Sequence, residues 1–341
     1  MTRVWVEISG ENSDLARAEV RAAAAALGGG AGDDADRPDH LVGVELPPEG
    51  GAEGLAVRLA LARRVLAPRA AGAEIEPWLR RAGAEGGTAS VRRLGRPSSG
   101  GEDPHVLAAG RTFSDAGGRI DLGAPRRRFW LTGADPGPLE LLEEIATVDR
   151  PAANARRMPV LPFQRPVSLP PRLARAAANL AEIRPGDRVV DPFVGTGALL
   201  AEAGLLGARL YGLDRDPEMV RGTLRNLGHL GLTADELVVG DAGTAEFGDP
   251  GLPFDAVLTD PPYGRASSTG GEDPTAIVDR VLPRWAERVR TGGRVVVIVP
   301  GPIAGPGPAW RLTLAVPLRV HRSLTREFRV YARAGPTPRP E

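Results

Sequence analysis

Beyond residue 173 the apolar positions along the chain switch regularly between two spacings. A three-to-four-residue spacing in "LARAAANLAEI" (173–183), "GALLAEAGLLG" (197–207), "PEMVRGTLRNLGHLG" (217–231) and "PTAIVDRVLPRWAERVR" (274–290) predicts helices. Short apolar runs in "DRVVDPF" (187–193), "RLYGLD" (209–214), "ELVVGDA" (236–242), "FDAVLTDPP" (254–262) and "GRVVVIVP" (293–300) predict strands between them. Alternation of this regularity predicts an α/β fold, a doubly wound and mostly parallel sheet. Two closing runs, "WRLTLAVPL" (310–318) and "EFRVYAR" (327–333), have no helix between them and predict an antiparallel edge hairpin.

Residues 1–145 carry a different pattern. "RVWVEIS" (3–9) and "LVGVEL" (41–46) read as strands, and "DLARAEVRAAAAAL" (14–27) as a helix capped by Asn12 or Ser13. "GLAVRLALARRVLA" (54–67) has the spacing of a second amphipathic helix. "GGRIDLGAPRRRFWLTG" (117–133) predicts two strands joined by a turn at Gly123–Pro125. Mixed short elements indicate an α+β region. Between the two patterns, residues 146–172 have no period and are rich in proline and arginine. They read as an ordered connecting arm, with Phe163, Val167 and Leu169 as docking side chains. The expected organisation is therefore 1–145, 146–172 and 173–341.

Composition narrows the chemistry. The chain has 341 residues, enough for two or more domains, and no apolar run approaches the ~18–20 residues of a membrane span. The alanine run near residue 22 suits an amphipathic helix better than a signal peptide, so a cytoplasmic location is expected. Cysteine is absent, which excludes disulfides, thiolate metal sites and cysteine nucleophiles. The four histidines (His40, His105, His229, His321) show no ligand spacing, and no metal is expected. Net charge is zero and every basic side chain is arginine. Acids outnumber arginine over residues 1–75 and arginine outnumbers acids over 76–180, so a polyanionic partner would meet the middle of the chain. The sequence carries no signal for oligomeric state.

Four predicted strands end in aspartate: Asp191, Asp214, Asp241 and Asp260. Ligands of open α/β sheets bind at that edge. After Asp191, "VVDPFVGTGALL" (189–200) makes a glycine turn in which Gly195 and Gly197 let backbone approach a ligand. The third glycine of a dinucleotide fingerprint is replaced by Leu200, which counts against a nicotinamide dehydrogenase. A carboxylate beside the turn repels pyrophosphate and attracts cationic groups, favouring S-adenosylmethionine. Asp214 is placed for ribose hydroxyls and Asp241 for an adenine amine, while Asp216 reads as the cap of the helix beginning at Pro217. Pro261 and Pro262 end the fourth strand, because neither offers a backbone N–H. Asp260 and the Pro261 carbonyl then suit the two N–H bonds of an exocyclic nucleobase amine, with Tyr263 stacking on a flipped-out or unpaired base.

"DPFVGTGALLAEA", "YGLDRDPEMVRGTLRNL", "GDA" and "DPPYGRASS" together resemble the THUMP-domain class I methyltransferases, in particular the archaeal group acting on the guanine N2 of tRNA position 10. "GGRIDLGAPRRRFWLTG" is similar to the THUMP signature, and "PFQRPVSLPPRLARAAANLA" and "HRSLTREFRVYAR" to flanking parts of the family. The resemblance implies a Rossmann-like catalytic domain over 173–341 and a THUMP-containing RNA-binding region within 1–145. It implies a cofactor site at Asp191, Phe193, Gly195, Gly197, Asp214, Asp241 and Ala242, and a catalytic loop at Asp260, Pro261, Pro262 and Tyr263. The expected partner is tRNA, with Arg126, Arg127, Arg128, Arg150, Arg156, Arg157 and Arg165 as candidate RNA contacts. The same Asp-Pro-Pro-Tyr logic also serves an N6-adenine or N4-cytosine methyltransferase. A non-catalytic RNA-binding protein is the alternative from another class.

Overall fold

The computed structural model describes residues 1–10, 12–33, 38, 40–95, 103–133, 137–149, 161–165, 168–248, 253–262, 273–321 and 324–334. The chain divides into two units, one of residues 1–13, 28–57 and 62–148, the other of 14–27, 58–61 and 149–341. The expected first region is thus not one block: 14–27 and 58–61 belong with the second unit.

In chain order the first 148 residues form β1 (Thr2–Ile8), α1 (Ser13–Ala26), β2 (Gly30–Ala31), β3 (Leu41–Leu46), α2 (Gly51–Arg58) and β4 (Ala62–Ala71). Then follow α3 (Ile75–Ala84), β5 (Thr88–Arg93), α4 (Pro104–Asp115), β6 (Arg119–Ile120), β7 (Arg127–Thr132) and β8 (Glu140–Thr147). The strands make one eight-stranded sheet in the order β2-β3-β1-β4-β8-β7-β5-β6. Two expectations are corrected here. The second amphipathic helix stops at Arg58, and residues 62–71 are a strand. Leu66 and Val65 pair with Trp5 and Val6 on one side, and with Glu144 and Ala146 on the other. A short apolar run is ambiguous between helix and strand, and pairing on both flanks decides it. The two short strands predicted within 117–133 exist, but they do not pair with each other; β5 lies between them.

The second unit continues with α5 (Pro171–Leu180), β9 (Arg188–Asp191), α6 (Ala198–Gly204), β10 (Arg209–Asp214), α7 (Pro217–His229) and β11 (Glu236–Val239). It closes with β12 (Phe254–Thr259), α8 (Pro274–Glu287), β13 (Val289–Val299), β14 (Trp310–His321) and β15 (Leu324–Arg333). The sheet order is β11-β10-β9-β12-β13-β15-β14. β9 to β13 pair in parallel, while β15 is antiparallel to both of its neighbours. This is the doubly wound, mostly parallel sheet with the expected antiparallel edge. Strand order reverses between β9 and β12, which opens a crevice at the carboxyl edge there. Behind the sheet, Tyr211, Phe247, Phe254 and Trp285 pack edge to face in one buried cluster. The Trp285 indole N–H donates to the Ala242 carbonyl at 2.8 Å, anchoring the loop after β11. Among the described residues no helix is long and apolar enough to cross a membrane.

Candidate functional site

The glycine turn is held by its own strand-end aspartates. The Phe193 N–H donates to Asp191 Oδ1 at 3.0 Å, and the Gly195 N–H to Asp214 Oδ2 at 3.0 Å. Gly195 and Gly197 have φ of +51° and +80°, the left-handed region that side chains avoid. A Cβ on Gly197 would also stand 2.7 Å from Thr223 Cγ2. From α7, the Thr223 hydroxyl donates to the Gly195 carbonyl at 2.8 Å, and Asn226 Nδ2 to the Thr196 carbonyl at 2.9 Å. The turn is therefore braced from both sides.

Asp191 is only 1% exposed. Burial pushes its pKa up to about 7, the charges of Asp260 and Asp214 add to the rise, and bonds from the Thr259 hydroxyl and the Phe193 N–H oppose it. The Thr259 bond, 2.7 Å to Asp191 Oδ1, ties the residue before Asp260 directly to the glycine turn. Asp214 is also raised, chiefly by burial; it accepts from the Asp216 and Gly195 N–H groups. Asp216 caps α7 as expected, accepting the Glu218 N–H at 2.7 Å. Asp241 is half exposed, accepts the Gly243 N–H at 2.7 Å and lies 3.8 Å from Arg280. Ala242 is buried and Phe193 partly buried beside the core.

Asp260 follows the last residue of β12, with Pro261 buried and Pro262 half-buried after it. Its carboxylate, 15% exposed, receives Arg326 Nη1 at 3.2 Å. Sequence reasoning missed Arg326 and Thr259. It looked for polar groups at the carboxyl ends of strands, whereas Arg326 stands near the start of the reversed strand β15. In the sequence Thr259 is simply the last position of the apolar run "FDAVLT".

Tyr263, Arg150, Arg156, Arg157 and Val167 lie outside the described residues. Arg126 and Arg128 are exposed, the expected condition for phosphate contact. Arg127 is different: it bridges Glu143 at 2.8 Å and Glu85 at 3.2 Å, and Arg69 joins Glu143 at 2.7 Å. Arg165 is likewise engaged, 2.6 Å from Glu218 and stacked over Phe163. Their geometry gives both a local structural role. The arm residues Phe163 and Leu169 are buried. Phe163 exchanges bonds of 2.9 Å with Asn226 through both its N–H and its carbonyl.

What can such an arrangement do? Asp191 and Asp214 hold the glycine turn, Asp260 stands near enough to act on Asp191, and burial favours the protonated forms of the first two. That is an unfavourable home for an anion and a receptive one for a cation. At Gly195 an added Cβ would meet nothing nearer than the Phe193 carbonyl at 3.9 Å, so the backbone is bare there, and the strand-end Asp214 supplies acceptors of the kind a nucleoside needs. These residues fit S-adenosylmethionine.

Comparison with known proteins follows the same line. Residues 160–304 match the family described as UPF0020, RMKL-like, methyltransferase domain. A tRNA (guanine(10)-N2)-dimethyltransferase of Methanothermobacter thermautotrophicus is 36% identical over 196 residues, covering 57% of each chain. A probable tRNA (guanine(10)-N2)-dimethyltransferase of Methanothermococcus thermolithotrophicus is 32% identical over 47% of this chain and 97% of its own. In the Methanothermobacter protein, and in relatives from Pyrococcus abyssi and Methanocaldococcus jannaschii, the match spans about half of the relative's length (57%, 50% and 51%). Among solved structures, TrmN from Thermus thermophilus matches over 97% of this chain and 99% of its own, at 22% identity and a TM-score of 0.48.

Proposed function

This chain belongs to the tRNA (guanine(10)-N2)-dimethyltransferase family, and we propose that it transfers methyl groups from S-adenosylmethionine to the exocyclic N2 of a guanosine in tRNA, at position 10. The observation that carries this reading is a glycine turn held by Asp191 and Asp214 at the switch point of the sheet, with Asp260 on the adjoining strand tied to it through the Thr259–Asp191 bond.

Asp191, the Gly195–Gly197 backbone, Asp214 and Asp241 would hold the cofactor. When bound, it supplies a sulfonium methyl whose carbon–sulfur bond breaks as the amine nitrogen takes the carbon. The amine is a poor nucleophile because its lone pair is delocalised into the ring. Asp260 accepts one of its N–H bonds and turns the lone pair out of the ring plane. The Pro261 carbonyl is the second acceptor in this reading, and the two prolines bring no competing backbone N–H. Orientation of this kind supplies most of the acceleration. The proton lost from nitrogen passes to Asp260 or to solvent. Tyr263 is proposed to stack on the base. The first unit is read as the THUMP-containing RNA-binding region, with Arg126 and Arg128 as its phosphate contacts and steep salt dependence of tRNA binding as the consequence.

The test is mass spectrometry of unmodified tRNA incubated with the protein and isotopically labelled donor, beside an Asp260→Ala control. The expected result is N2-methyl- or N2,N2-dimethylguanosine that is lost in the control. Methyladenosine or methylcytidine in its place overturns the guanine assignment. No methylated nucleoside overturns the enzymatic reading.

A further inference from the structure

We propose that Arg326 is the positioning residue of this site, holding the Asp260 carboxylate in the orientation that grips the amine; the proposal rests on the methyl-transfer reading above. An aspartate is poorly suited to hold its own direction, because rotation about its terminal carbon–carbon bond is broad and roughly two-fold. A carboxylate that must meet one N–H at one angle needs a second group to fix it. Arg326 Nη1 reaches Asp260 Oδ2 at 3.2 Å, and the two side chains are 10% and 15% exposed. Solvent screens such a pair weakly, and a guanidinium is a rigid planar donor.

Topology explains why the arginine comes from this strand. The parallel strands reach the ligand edge with their last residues. β15 runs the other way and enters the sheet at that edge with its first residues. Its register places Glu327 opposite Val299, the final residue of β13, so Arg326 arrives level with the strand tips that carry the aspartates. A reversed strand is the element able to deliver a residue from its own beginning to this edge. Burying an arginine here is costly unless it is paired, and Asp260 is a partner in place. Asp260 in turn stands close enough to Asp191 to influence its ionisation, so the Arg326 cation offsets crowding among the carboxylates.

The test uses the full chain in four forms: wild type, Arg326→Met, Asp260→Asn and the double variant, with Arg326→Lys as a fifth. Each is measured for thermal melting, cofactor affinity by calorimetry, tRNA affinity and single-turnover methyl transfer. Arg326→Met is expected to slow transfer about 100-fold, the scale of an ångström-level misplacement, while both affinities stay within about threefold of wild type. Arg326→Lys, which keeps the charge, is expected to recover part of the rate and keeps the test alive if the methionine variant melts below assay temperature. In the Asp260→Asn background, Arg326→Met should cost less than about twofold, because residues acting through one another are not additive. A crystal structure of Arg326→Met is expected to show the Asp260 carboxylate rotated. Transfer by Arg326→Met within threefold of wild type overturns the proposal, as does an additive double variant. A wild-type protein that methylates nothing overturns the function itself and this role with it, whereas an active wild type with an indifferent Arg326 overturns this role alone.

Discussion

Burial holds Asp191 at a pKa of about 7, so its charge changes across the neutral range. A cationic cofactor favours the ionised form and must expel the proton when it binds below that pH. S-adenosylmethionine affinity is therefore expected to rise about tenfold between pH 6 and pH 8. Calorimetry in two buffers of different ionisation enthalpy should detect proton release at pH 6 and little at pH 8. The same shift carries a cost in stability. Folding raises this acid from its ordinary 3.8, so the folded state binds the proton more tightly. Its contribution is full below 3.8 and is lost as pH climbs to about 7. Asp191→Asn keeps an acceptor for Thr259 and Phe193 and removes the buried charge. It is expected to melt higher than wild type at pH 8 without cofactor, and to bind cofactor more weakly. At this scale the four aspartates were legible because each stands at the end of a short apolar run, and Asp191 and Asp260 are followed at once by proline. Arg326 was not, because its meaning depends on the direction and register of β15, which no local pattern encodes.

At the scale of elements, the arm ahead of α5 is fixed by α7. The Phe163 ring lies over Gly222, where an added Cβ would stand 2.0 Å from Phe163 Cδ1. Asn226 is buried and fully used: Oδ1 accepts the Phe163 N–H, and Nδ2 donates to the carbonyls of Phe163 and Thr196. Asn226→Ala strands buried backbone groups, at about 1–3 kcal/mol for each left unsatisfied. It also unbraces the glycine turn. The expected outcome is a lower melting temperature together with weaker cofactor binding, although Asn226 is not itself among the proposed cofactor contacts. Gly222→Ala should lower the melting temperature by displacing the ring, and a smaller residue at 163 should relieve part of that loss. Phe163 could be read as a docking side chain, but its seat could not, since Gly222 looks like any helical glycine until the ring above it is seen. β4 departs from its sequence pattern for a related reason. "LALARRVLA" satisfies helical spacing, and pairing with β1 and β8 overrode it.

At the scale of the whole molecule, the chain crosses between its two units more often than its sequence blocks suggest. α1 contributes Glu19 to the second unit. There it accepts from the Ala60 and Leu61 N–H groups and from Asn179 Nδ2, each at 2.9 Å. Arg172 donates to the Ala60 carbonyl, Arg58 to that of Ile183 and Arg184 to that of Ala25. Burial pushes Glu19 up from 4.5 to about 7, so its contribution to stability is lost as pH rises through that interval. The stability of Glu19→Gln relative to wild type should accordingly improve with pH, by up to about 3 kcal/mol across it. The larger consequence concerns dissection. A fragment of residues 149–341 keeps the glycine turn, every strand-end aspartate and Arg326. It also lacks the acceptors that Asn179 and Arg172 meet in the full chain, the Glu19 carboxylate and the Arg58 and Ala60 carbonyls, and a buried donor left unmatched costs about 1–3 kcal/mol. The fragment is therefore expected to melt well below the full chain, and a fragment rejoined to 14–27 and 58–61 by short linkers should recover much of the difference. A bare 149–341 fragment that melts within a degree or two of the full chain would mean the Glu19 cluster is peripheral to the catalytic unit. The sequence boundary near residue 146 would then be the physical one.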